Sequence, residues 1–368
     1  MMQLYFIWFA MFAAVQAALT LIQFLLRKKR IKKAVRVIII IAKVLLAIAC
    51  AVLVMAGPVF FRPVQPVMVV IYAVLFMDAT ADVLYAIYLA VRKKERKFVP
   101  AKILSLCLGI LFFVYGTVNM QLVSPKYHEY SSAKLQHDYK IAFVADLHVG
   151  SSQNFSTTQK TIAAIKAEQP DFVILGGDIT DDYTSKEEML ETYRLFGEIG
   201  APVYFIFGNH EVVQHEKYMK GGLHYTEAEL VKAMEDNGIT VLADEYASLA
   251  PDLLLLGRED AAAKENRRAI DTLPNPAPEK YLVTADHQPV LFEDNLTAGT
   301  DLQLSGHTHA GQLFPNGFFF SFVSYNLGDY TADNGAVMNV SSGACGWRVP
   351  FRTEAQCHYE IVNLHPAQ

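Results

Sequence analysis

The segment SGHTHAGQL, residues 305–313, places two histidines two residues apart between glycines. Alternate residues of an extended strand project to the same side, and the imidazole of histidine is a common metal ligand. His307 and His309 therefore indicate either a metal site or a polar turn that follows a strand at 301–304. This segment alone favours neither alternative.

Four further apolar runs also end in Asp, Asn or His. Each run is expected to be a buried strand, and helical stretches at 156–168 and 185–199 separate the early ones. Strands that alternate with helices are typical of a layered α/β domain, whose sites form outside the carboxyl ends of the strands. The five runs are YKIAFVADLH (139–148) with Asp146 and His148, PDFVILGGD (170–178) with Asp178, APVYFIFGNH (201–210) with Asn209 and His210, KYLVTADH (280–287) with His287, and DLQLSGHTH (301–309) with His307 and His309.

In this order, the motifs DLH, GGD, GNHE, DHQP and GHTH resemble those of the calcineurin-like metallophosphoesterase family, over roughly residues 139–363. The segments HQP, GHTHAGQLFP and VSSGACGWRVPFR look most like the bacterial membrane-anchored branch. The resemblance implies an α/β fold, a four-layer αββα sandwich, that hydrolyses a phosphodiester, phosphomonoester or pyrophosphate bond with two divalent metal ions. Mixed oxygen and nitrogen ligands suit Mn²⁺, Fe or Zn better than Ca or Mg, and Mn²⁺ is expected first.

The resemblance also implies a role for each residue. Asp178 would be shared by two ions about 3.5–4 Å apart that clamp a phosphate and activate a water molecule. His210 would protonate the leaving oxygen or hold the phosphoryl group, and Glu211 or Asp182 would orient neighbouring groups. The remaining ligands would be Asp146, His148 and His309 for one ion, and Asn209, His287 and His307 for the other.

Other features of this half mark differences within the family. GGDITDDYT (176–184) lacks the arginine typical of Ser/Thr protein phosphatases, which lowers the expectation of that activity. In QCHYEI (356–361), Glu360 fits the Pro-Pro-Glu ending of the branch, whereas Cys357 and His358 depart from it. Histidines expected at the surface because they match no motif are His128, His215, His224 and His365.

The charges divide the chain of 368 residues into two regions. Residues 1–137 hold 17 Lys+Arg and 4 Asp+Glu, a net charge of +13, and residues 138–368 hold 15 and 33, a net charge of −18. The acidic second region argues against a nucleic-acid partner, which would need a basic face.

Four stretches of the first region are long and apolar enough to span a bilayer as helices. They are residues 1–26, 37–61, 63–91 and 103–125. We expect a transmembrane region at 1–120 with four helices (three or five being the alternatives), a linker at 121–138 and a metallophosphoesterase domain at 139–368. The basic loops at 27–36 and 92–102 are expected to be cytoplasmic, which places the catalytic domain outside the cytoplasm.

Asp78 and Asp82 are four residues apart on the third predicted helix and so share one face. Ionisable groups at such depth are costly and usually functional. The favoured interpretation is structural pairing with Lys43 of the second helix, and the alternative is a polar groove that holds a lipid headgroup or a proton.

The substrate is the least determined feature of the sequence. FPNGFFFSFVSY (314–325) is either a buried hairpin or an apolar lip for acyl chains, with Phe318, Phe319 and Phe320 as substrate contacts. Tethering to the bilayer favours a membrane lipid or cell-envelope substrate. The alternatives are a tethered phosphodiesterase for soluble nucleotides and a non-enzymatic membrane transporter or sensor with a degenerate domain.

Four cysteines are present, and their positions predict different roles. Cys50 and Cys107 lie within predicted membrane helices and are expected to pack there. An oxidising exterior would permit a disulfide between Cys345 and Cys357.

Overall fold

The computed structural model describes residues 2–26, 33–56, 64–93, 98–212 and 224–367. The chain divides into two compact units. The helical unit comprises Met1–Asn119 and Leu313–Asn316, and the α/β unit comprises Met120–Gln312 and Gly317–Gln368. Part of each predicted loop between the first four helices, and the whole of His215, lies outside the described residues.

The helical unit contains four long helices, which confirms the prediction of an all-α region. Each helix is long and apolar enough to cross a membrane. Helices suit that environment because their backbone hydrogen bonds are satisfied within the segment. The helices are α1 (Met2–Leu26), α2 (Lys33–Ala56), α3 (Gln65–Arg92) and α4 (Phe98–Gln121).

A buried polar cluster connects the helices of this unit. The carboxylate of Asp78 accepts hydrogen bonds from Lys43 at 2.6 Å, Lys102 at 2.6 Å, Ser105 at 2.6 Å and Gln23 at 2.8 Å. Lys43 also bonds Asp82 at 2.8 Å. The pairing with Lys43 that the sequence favours is therefore present. The cluster around Asp78 contains residues of all four helices.

The segment Leu313–Asn316 belongs to the helical unit although it follows the GHTH motif in the chain. The ring of Phe314 lies 5.7 Å from that of Phe76 in α3. Asn316 is buried and donates a hydrogen bond of 3.1 Å from its side chain to the Ala51 carbonyl of α2. These contacts satisfy polar atoms and pack aromatic rings within the unit.

Two six-stranded sheets form the centre of the α/β unit. The first sheet has the strand order β1-β12-β2-β3-β4-β5, and the second has the order β10-β11-β9-β8-β7-β6. The strands of the first sheet are β1 (Val123–Ser132), β2 (Tyr139–Val144), β3 (Phe172–Leu175), β4 (Val203–Ile206), β5 (Ile239–Leu242) and β12 (Cys357–Pro366). Those of the second are β6 (Glu245–Ala250), β7 (Leu253–Gly257), β8 (Tyr281–Ala285), β9 (Leu302–Ser305), β10 (Gly328–Thr331) and β11 (Val337–Val340).

The alternation of side chains along β2 shows how the layers are built. Ile141 and Phe143 pack in the core between the two sheets, whereas Ala142 and Val144 pack on the other face against the helices of that side. Apolar residues on both faces make the strand buried throughout. The helices of the unit are α5 (Phe155–Ala167), α6 (Lys186–Gly197), α7 (Asn209–Val212), α8 (Glu227–Glu235), α9 (Phe292–Thr297) and α10 (Asn316–Phe320).

Apolar clusters on the outer face of the second sheet complete the sandwich. Phe292 of α9 packs with Met338 and Val340 of β11, and a separate cluster surrounds Leu254 and Leu256 of β7. The four-layer αββα architecture and its α/β class are thus confirmed.

The linker predicted at 121–138 is wrong for most of its length. Residues Val123–Ser132 form β1, which pairs in parallel with β12 over ten positions. The strand lies at the edge of the first sheet, where its polar side chains remain partly exposed. Its polar composition therefore reflects an edge position and not a loop.

Candidate metal centre

The predicted ligands follow the ends of five strands. Asp146 and His148 follow β2, Asp178 follows β3, and His287 follows β8. The predicted strands are confirmed but end earlier than expected, so that the ligands lie in the loops beyond them. The remaining predicted residues are Asn209 and His210 in α7, after β4, and His307 and His309 after β9.

One group of three side chains could hold a metal ion: Asp146, His148 and His309. The Nε2 atoms of the two histidines are 3.2 Å apart. Asp146 Oδ1 lies 3.8 Å from His148 Nε2 and 3.5 Å from His309 Nε2. Two atoms that each lie about 2.1 Å from one ion are at most about 4.2 Å apart, so these separations suit common ligation.

A second group with this property consists of Asp178, His287 and His307. Asp178 Oδ2 lies 3.2 Å from His287 Nε2, and it also lies 3.7 Å from His148 Nε2 of the first group. The rings of His287 and His307 are 5.3 Å apart. The two groups therefore meet at the carboxylate of Asp178.

Five of the seven predicted ligands have backbone φ angles in the left-handed region. They are Asp146 (53°), His148 (40°), Asp178 (51°), His307 (72°) and His309 (49°). Such conformations cost about 1–3 kcal/mol each and cluster at functional sites. The expected reason for the common direction of His307 and His309, alternation along a strand, is wrong, since β9 ends at Ser305 and a turn directs them.

Close backbone approach explains the glycines next to these ligands. A Cβ atom at Gly208 would lie 2.3 Å from Asp178 Oδ1. Gly177 has a φ of 86°, and a Cβ there would lie 2.7 Å from the backbone of Gly208. Only a residue without a side chain permits this contact.

Several buried ligand-type atoms of this centre have no hydrogen bond among the residues that the structure describes. They include Asp146 Oδ1, Asn209 Oδ1 and His287 Nε2. Buried polar atoms are almost always paired, and oxygen and imidazole nitrogen are ligands of divalent transition ions. The residues present therefore fit a metal centre.

Protonation differs among the four predicted ligand histidines. Burial lowers the pKa of His309 to about 3, and burial followed by repulsion from His287 lowers that of His307 to about 4. Burial favours a neutral Asp178, but the attraction of His287 and His210 outweighs it and holds the pKa well below its usual range. Near pH 7 these two imidazoles are neutral and the carboxyl group is ionised, as metal ligands must be.

Burial would also lower the pKa of His148, but the carboxylates of Asp146 and Asp181 raise it to about 10. Asp178 likewise holds the pKa of His287 well above its usual range against the effect of burial. These two rings would lose a proton on binding an ion.

The ligand histidines are oriented by groups behind them. His148 Nδ1 lies 2.8 Å from Asp181 Oδ2, His287 Nδ1 lies 2.9 Å from the Gly176 carbonyl, and His309 Nδ1 lies 3.1 Å from the Cys345 carbonyl. Partners of this kind fix the tautomer and leave Nε2 free to face an ion.

Glu211 organises the loop that carries Asp178. Its buried carboxylate accepts hydrogen bonds from the backbone of Asp178 and Gly208 at 2.9 Å each, and from Thr180 at 3.0 Å. The orienting role expected for Glu211 therefore matches these contacts.

Comparison with known proteins gives a family for part of the chain. Residues 139–311 match the family model described as calcineurin-like phosphoesterase. These residues form a calcineurin-like phosphoesterase domain. An uncharacterised metallophosphoesterase of Campylobacter jejuni is 29% identical over 313 residues, 80% of this chain and 78% of the relative. One from Helicobacter pylori is 28% identical over 242 residues, 63% of this chain and 61% of the relative.

A vertebrate relative shares the combination of regions. A Danio rerio protein named as a transmembrane protein with metallophosphoesterase domain is 23% identical over 280 residues, 71% of this chain and 62% of the relative. The present chain likewise combines a phosphoesterase domain with four helices long and apolar enough to cross a membrane.

His210 lies beside the predicted metal ligands of the phosphoesterase domain. Its backbone N–H donates to Asp178 Oδ1 at 2.8 Å. Its ring centroid lies 5.0 Å from that of His148 and 5.2 Å from that of Trp347. A third group with ligand-type spacing, His148, Asp181 and His210, shares His148 with the first.

Sequence reasoning missed two residues that hold the domain's site together. Arg352 is fully buried and donates to the carbonyls of His309 at 2.9 Å, Ser342 at 2.7 Å and Cys345 at 3.1 Å. Gln312 bonds three carbonyls of the segment after Gly346. Arg352 lies in the motif VSSGACGWRVPFR and Gln312 lies in GHTHAGQLFP, but neither motif indicated these hydrogen bonds.

The aromatic run of the phosphoesterase domain is not a buried hairpin. We define the aromatic patch as Phe318, Phe319, Phe322 and Val323, which are 56%, 44%, 71% and 82% exposed. Phe320 is partly buried, and Phe318 and Phe319 lie within α10. The rings of Phe318 and Phe322 are 5.0 Å apart, so the patch is a contiguous surface.

The surface position expected for His128 is wrong. Its Nε2 lies 2.8 Å from Glu360 Oε2, its Nδ1 lies 3.7 Å from Asp329, and its side chain is only 9% exposed. His358 is also buried and bonds the other oxygen of Glu360 at 2.8 Å. His224 is exposed, as expected. His365 keeps a 40% exposed side chain between Asp138 and Glu129.

The four cysteines are all described and all free. Cys345 and Cys357 are buried with Met120, and Cys357 Sγ accepts a contact of 3.3 Å from Arg352. The structure thus contains no disulfide between them. In the helical unit Cys50 is buried, as expected for packing, whereas Cys107 is exposed.

Proposed function

We propose that the phosphoesterase domain holds two divalent metal ions and hydrolyses a phosphoric ester of a membrane lipid or cell-envelope molecule. The scissile group would be a phosphodiester, phosphomonoester or pyrophosphate. The position of Asp178 Oδ2, 3.7 Å from His148 Nε2 and 3.2 Å from His287 Nε2, carries the proposal because one carboxylate then serves two ions. One ion would take Asp146, His148 and His309, and the other Asn209, His287 and His307, with Mn²⁺ favoured and Fe or Zn next.

When bound, two such ions neutralise the charge of the phosphoryl group and lower the pKa of the attacking water. The protein's own contribution to the reaction is the proton. The oxygen of water forms a new bond to phosphorus while the bond to the leaving oxygen breaks, and His210 delivers a proton to that oxygen. His210 suits this role because its backbone is tied to Asp178 and its ring lies beside His148. It regains the proton from the water that was consumed.

The membrane context rests on the helices and their loops. Basic residues concentrate in the loops at 27–36 and 92–102, and basic loops stay cytoplasmic. The four helices would then place the chain after α4, and with it the active site, outside the cytoplasm.

The aromatic patch supports a lipid substrate. Contiguous apolar surface on a folded domain marks contacts with lipids or proteins. The patch follows residues 313–316 in the chain, which belong to the helical unit. An enzyme with such a surface and a membrane anchor would meet lipid substrates first.

Activity and metal content can be tested on the purified full chain. We expect Mn²⁺ to support hydrolysis of bis(4-nitrophenyl) phosphate, with two metal ions per chain by elemental analysis and reversible loss of both on chelation. Two bound ions without turnover of any phosphoester would contradict an enzyme and favour the sensor or transporter alternative.

The lipid preference is tested at the patch. Phe318→Ser and Phe322→Ser should raise KM for phospholipids in vesicles and leave turnover of the chromogenic diester unchanged, with exposed Ser321→Ala as the matched control. A clear preference for a soluble nucleotide over every lipid in detergent and in vesicles would instead favour the nucleotide phosphodiesterase.

Orientation is tested by labelling whole cells with a membrane-impermeant thiol reagent. In a background with Cys107 replaced, His224→Cys should react and Lys29→Cys should not. The reverse pattern would place the domain in the cytoplasm.

A further inference from the structure

The segment 346–354, GWRVPFRTE, is bound at several points by one residue, Gln312. Gln312 Nε2 donates to the carbonyls of Trp347 at 3.0 Å, Val349 at 3.1 Å and Phe351 at 3.1 Å. Gln312 Oε1 accepts from the Trp347 N–H at 2.8 Å. Because Gln312 follows His309 by three residues, the segment is fixed relative to the metal centre.

This segment places an aromatic side chain next to His210 and a cationic side chain over that aromatic ring. The Trp347 ring lies 5.2 Å from the His210 ring, nearly edge to face at 72°. The guanidinium carbon of Arg348 lies 3.9 Å from the centre of the Trp347 ring, within the range of a cation–π contact. Both side chains are only partly buried, so a substrate can reach them.

The backbone of Arg348 is strained in the manner of the ligands. Its φ is 63°, in the left-handed region that costs about 1–3 kcal/mol for a residue other than glycine. This conformation holds the Arg348 guanidinium over the indole ring of Trp347.

We propose that Trp347 and Arg348 form the subsite for the leaving group, and that this subsite selects an anionic leaving group. The inference rests on the proposed function, in which His210 protonates the leaving oxygen. The group attached to that oxygen must then lie beside the His210 ring, where Trp347 offers a flat apolar face and Arg348 a positive charge. A planar guanidinium binds phosphoryl and carboxyl groups through paired hydrogen bonds. The preferred substrates therefore carry a second anionic group beyond the scissile bond.

A matched pair of substrates tests the subsite. Methyl 4-carboxyphenyl phosphate has an anionic leaving group, and methyl 4-(methoxycarbonyl)phenyl phosphate has a neutral one of similar shape. With Mn²⁺, the full-length protein should favour the anionic substrate in kcat/KM. Arg348→Met should lower that preference about tenfold, since a hydrogen bond to a charged group contributes about this factor, and Arg348→Lys should lower it less.

A control variant and two inhibition measurements accompany this test. Arg194→Gln, an exposed arginine of α6, should leave the preference unchanged. If Arg348→Met does not fold, free 4-hydroxybenzoate should still inhibit the unmodified protein more strongly than its methyl ester does. Inhibition by glycerol 3-phosphate and by glycerate is measured on the unmodified protein and on Arg348→Lys. The stronger inhibitor shows whether the subsite prefers a phosphoryl or a carboxyl group.

The two ways to fail are separate. No turnover of either substrate with metals bound would defeat the proposed function. Turnover of both, with a preference that Arg348 variants do not change and with equal inhibition by the acid and its ester, would overturn this inference alone.

Discussion

The two units bury charged groups in contrasting ways. In the helical unit, Asp78 is 1% exposed, yet its carboxylate accepts four hydrogen bonds. In the phosphoesterase domain, Asp146 Oδ1, Asn209 Oδ1 and His287 Nε2 are buried without a hydrogen bond among the described residues. An unpaired buried polar atom costs about 1–3 kcal/mol. A buried charge that its neighbours satisfy holds a fold together, whereas a cluster with unmet donor atoms is suited to a ligand.

Backbone conformation follows the same division. α3 is a continuous helix of 28 residues, whereas five predicted ligands of the domain lie in the left-handed region. Strain and unpaired atoms together destabilise the folded state at the candidate metal centre. A bound ion would offset this effect because it binds only the folded state. Changes in the two units should therefore have different consequences.

The largest effect is expected at the shared carboxylate. Asp178→Asn or His309→Ala should remove at least one metal ion. Turnover should fall by more than the loss of about 10–100-fold that is typical when a residue hydrogen-bonded to a metal ligand is replaced. Elemental analysis and hydrolysis of bis(4-nitrophenyl) phosphate measure both effects. Retention of both ions by Asp178→Asn would contradict the idea that its carboxylate joins two sites.

A smaller loss is expected when the proton donor is removed and the ligands stay. His210→Ala should keep both ions and lower kcat by about 10²–10⁴, the usual contribution of general acid catalysis. Exposed His224→Ala is the matched control and should have full activity. Loss of metal from His210→Ala with an intact fold would instead make His210 a ligand, in keeping with its spacing to His148 and Asp181.

The sequence predicts the parts of this site that lie next to strong local patterns. Apolar runs locate β2, β3, β4, β8 and β9, and the polar residues at their ends are those that meet at the candidate centre. The hydrogen bonds of Gln312 and Arg352 are not predicted, because their partners are distant in the sequence. Gln312 bonds the carbonyl of Trp347, and Arg352 bonds that of His309, each about 35–45 residues away. β1 escapes prediction because an edge strand needs no continuous apolar run.

In the helical unit, the expected effect is on stability and not on chemistry. Asp78→Asn leaves Lys43 and Lys102 without their shared partner, and breaking a buried ion pair costs about 3–5 kcal/mol. Thermal unfolding in detergent should shift downward, while turnover of a soluble diester per folded molecule stays constant. Tyr88→Phe, at an exposed position of the same helix, is the control.

The opposite result would revive the second interpretation of this cluster. Unchanged unfolding together with selective loss of activity on lipid vesicles would mean that Asp78 and Asp82 serve a polar groove. A cluster whose polar atoms are all hydrogen-bonded could then also serve the enzyme's function. Unpaired buried atoms would no longer distinguish a functional cluster from a structural one.

The smallest expected effect concerns a satisfied cluster inside the phosphoesterase domain, where pH provides the test. Burial would lower the pKa of His128, but the nearby Asp329 carboxylate and the hydrogen bond with Glu360 raise it to about 9. Burial would raise the pKa of Glu360, but His128 and His358 lower it to about 2. The His128 contribution is complete below its ordinary pKa of about 6.5 and fades as pH rises through about 9. The Glu360 contribution is complete above about 4.5 and fades as pH falls towards about 2.

His128→Asn should therefore lower the unfolding temperature of the domain most between pH 5 and 6.5, and the variant and the unmodified protein should converge near pH 10. The rise of about 2.5 in the pKa of His128 corresponds to about 3 kcal/mol in the free energy of unfolding. A change of 1 kcal/mol shifts the unfolding temperature of a domain of this size by about 2–4 °C. His365→Asn is the matched control, because its partly exposed ion pairs with Asp138 and Glu129 should contribute little. A pH-independent difference would show that His128 acts by packing alone, and that a satisfied buried charge adds no electrostatic stability here.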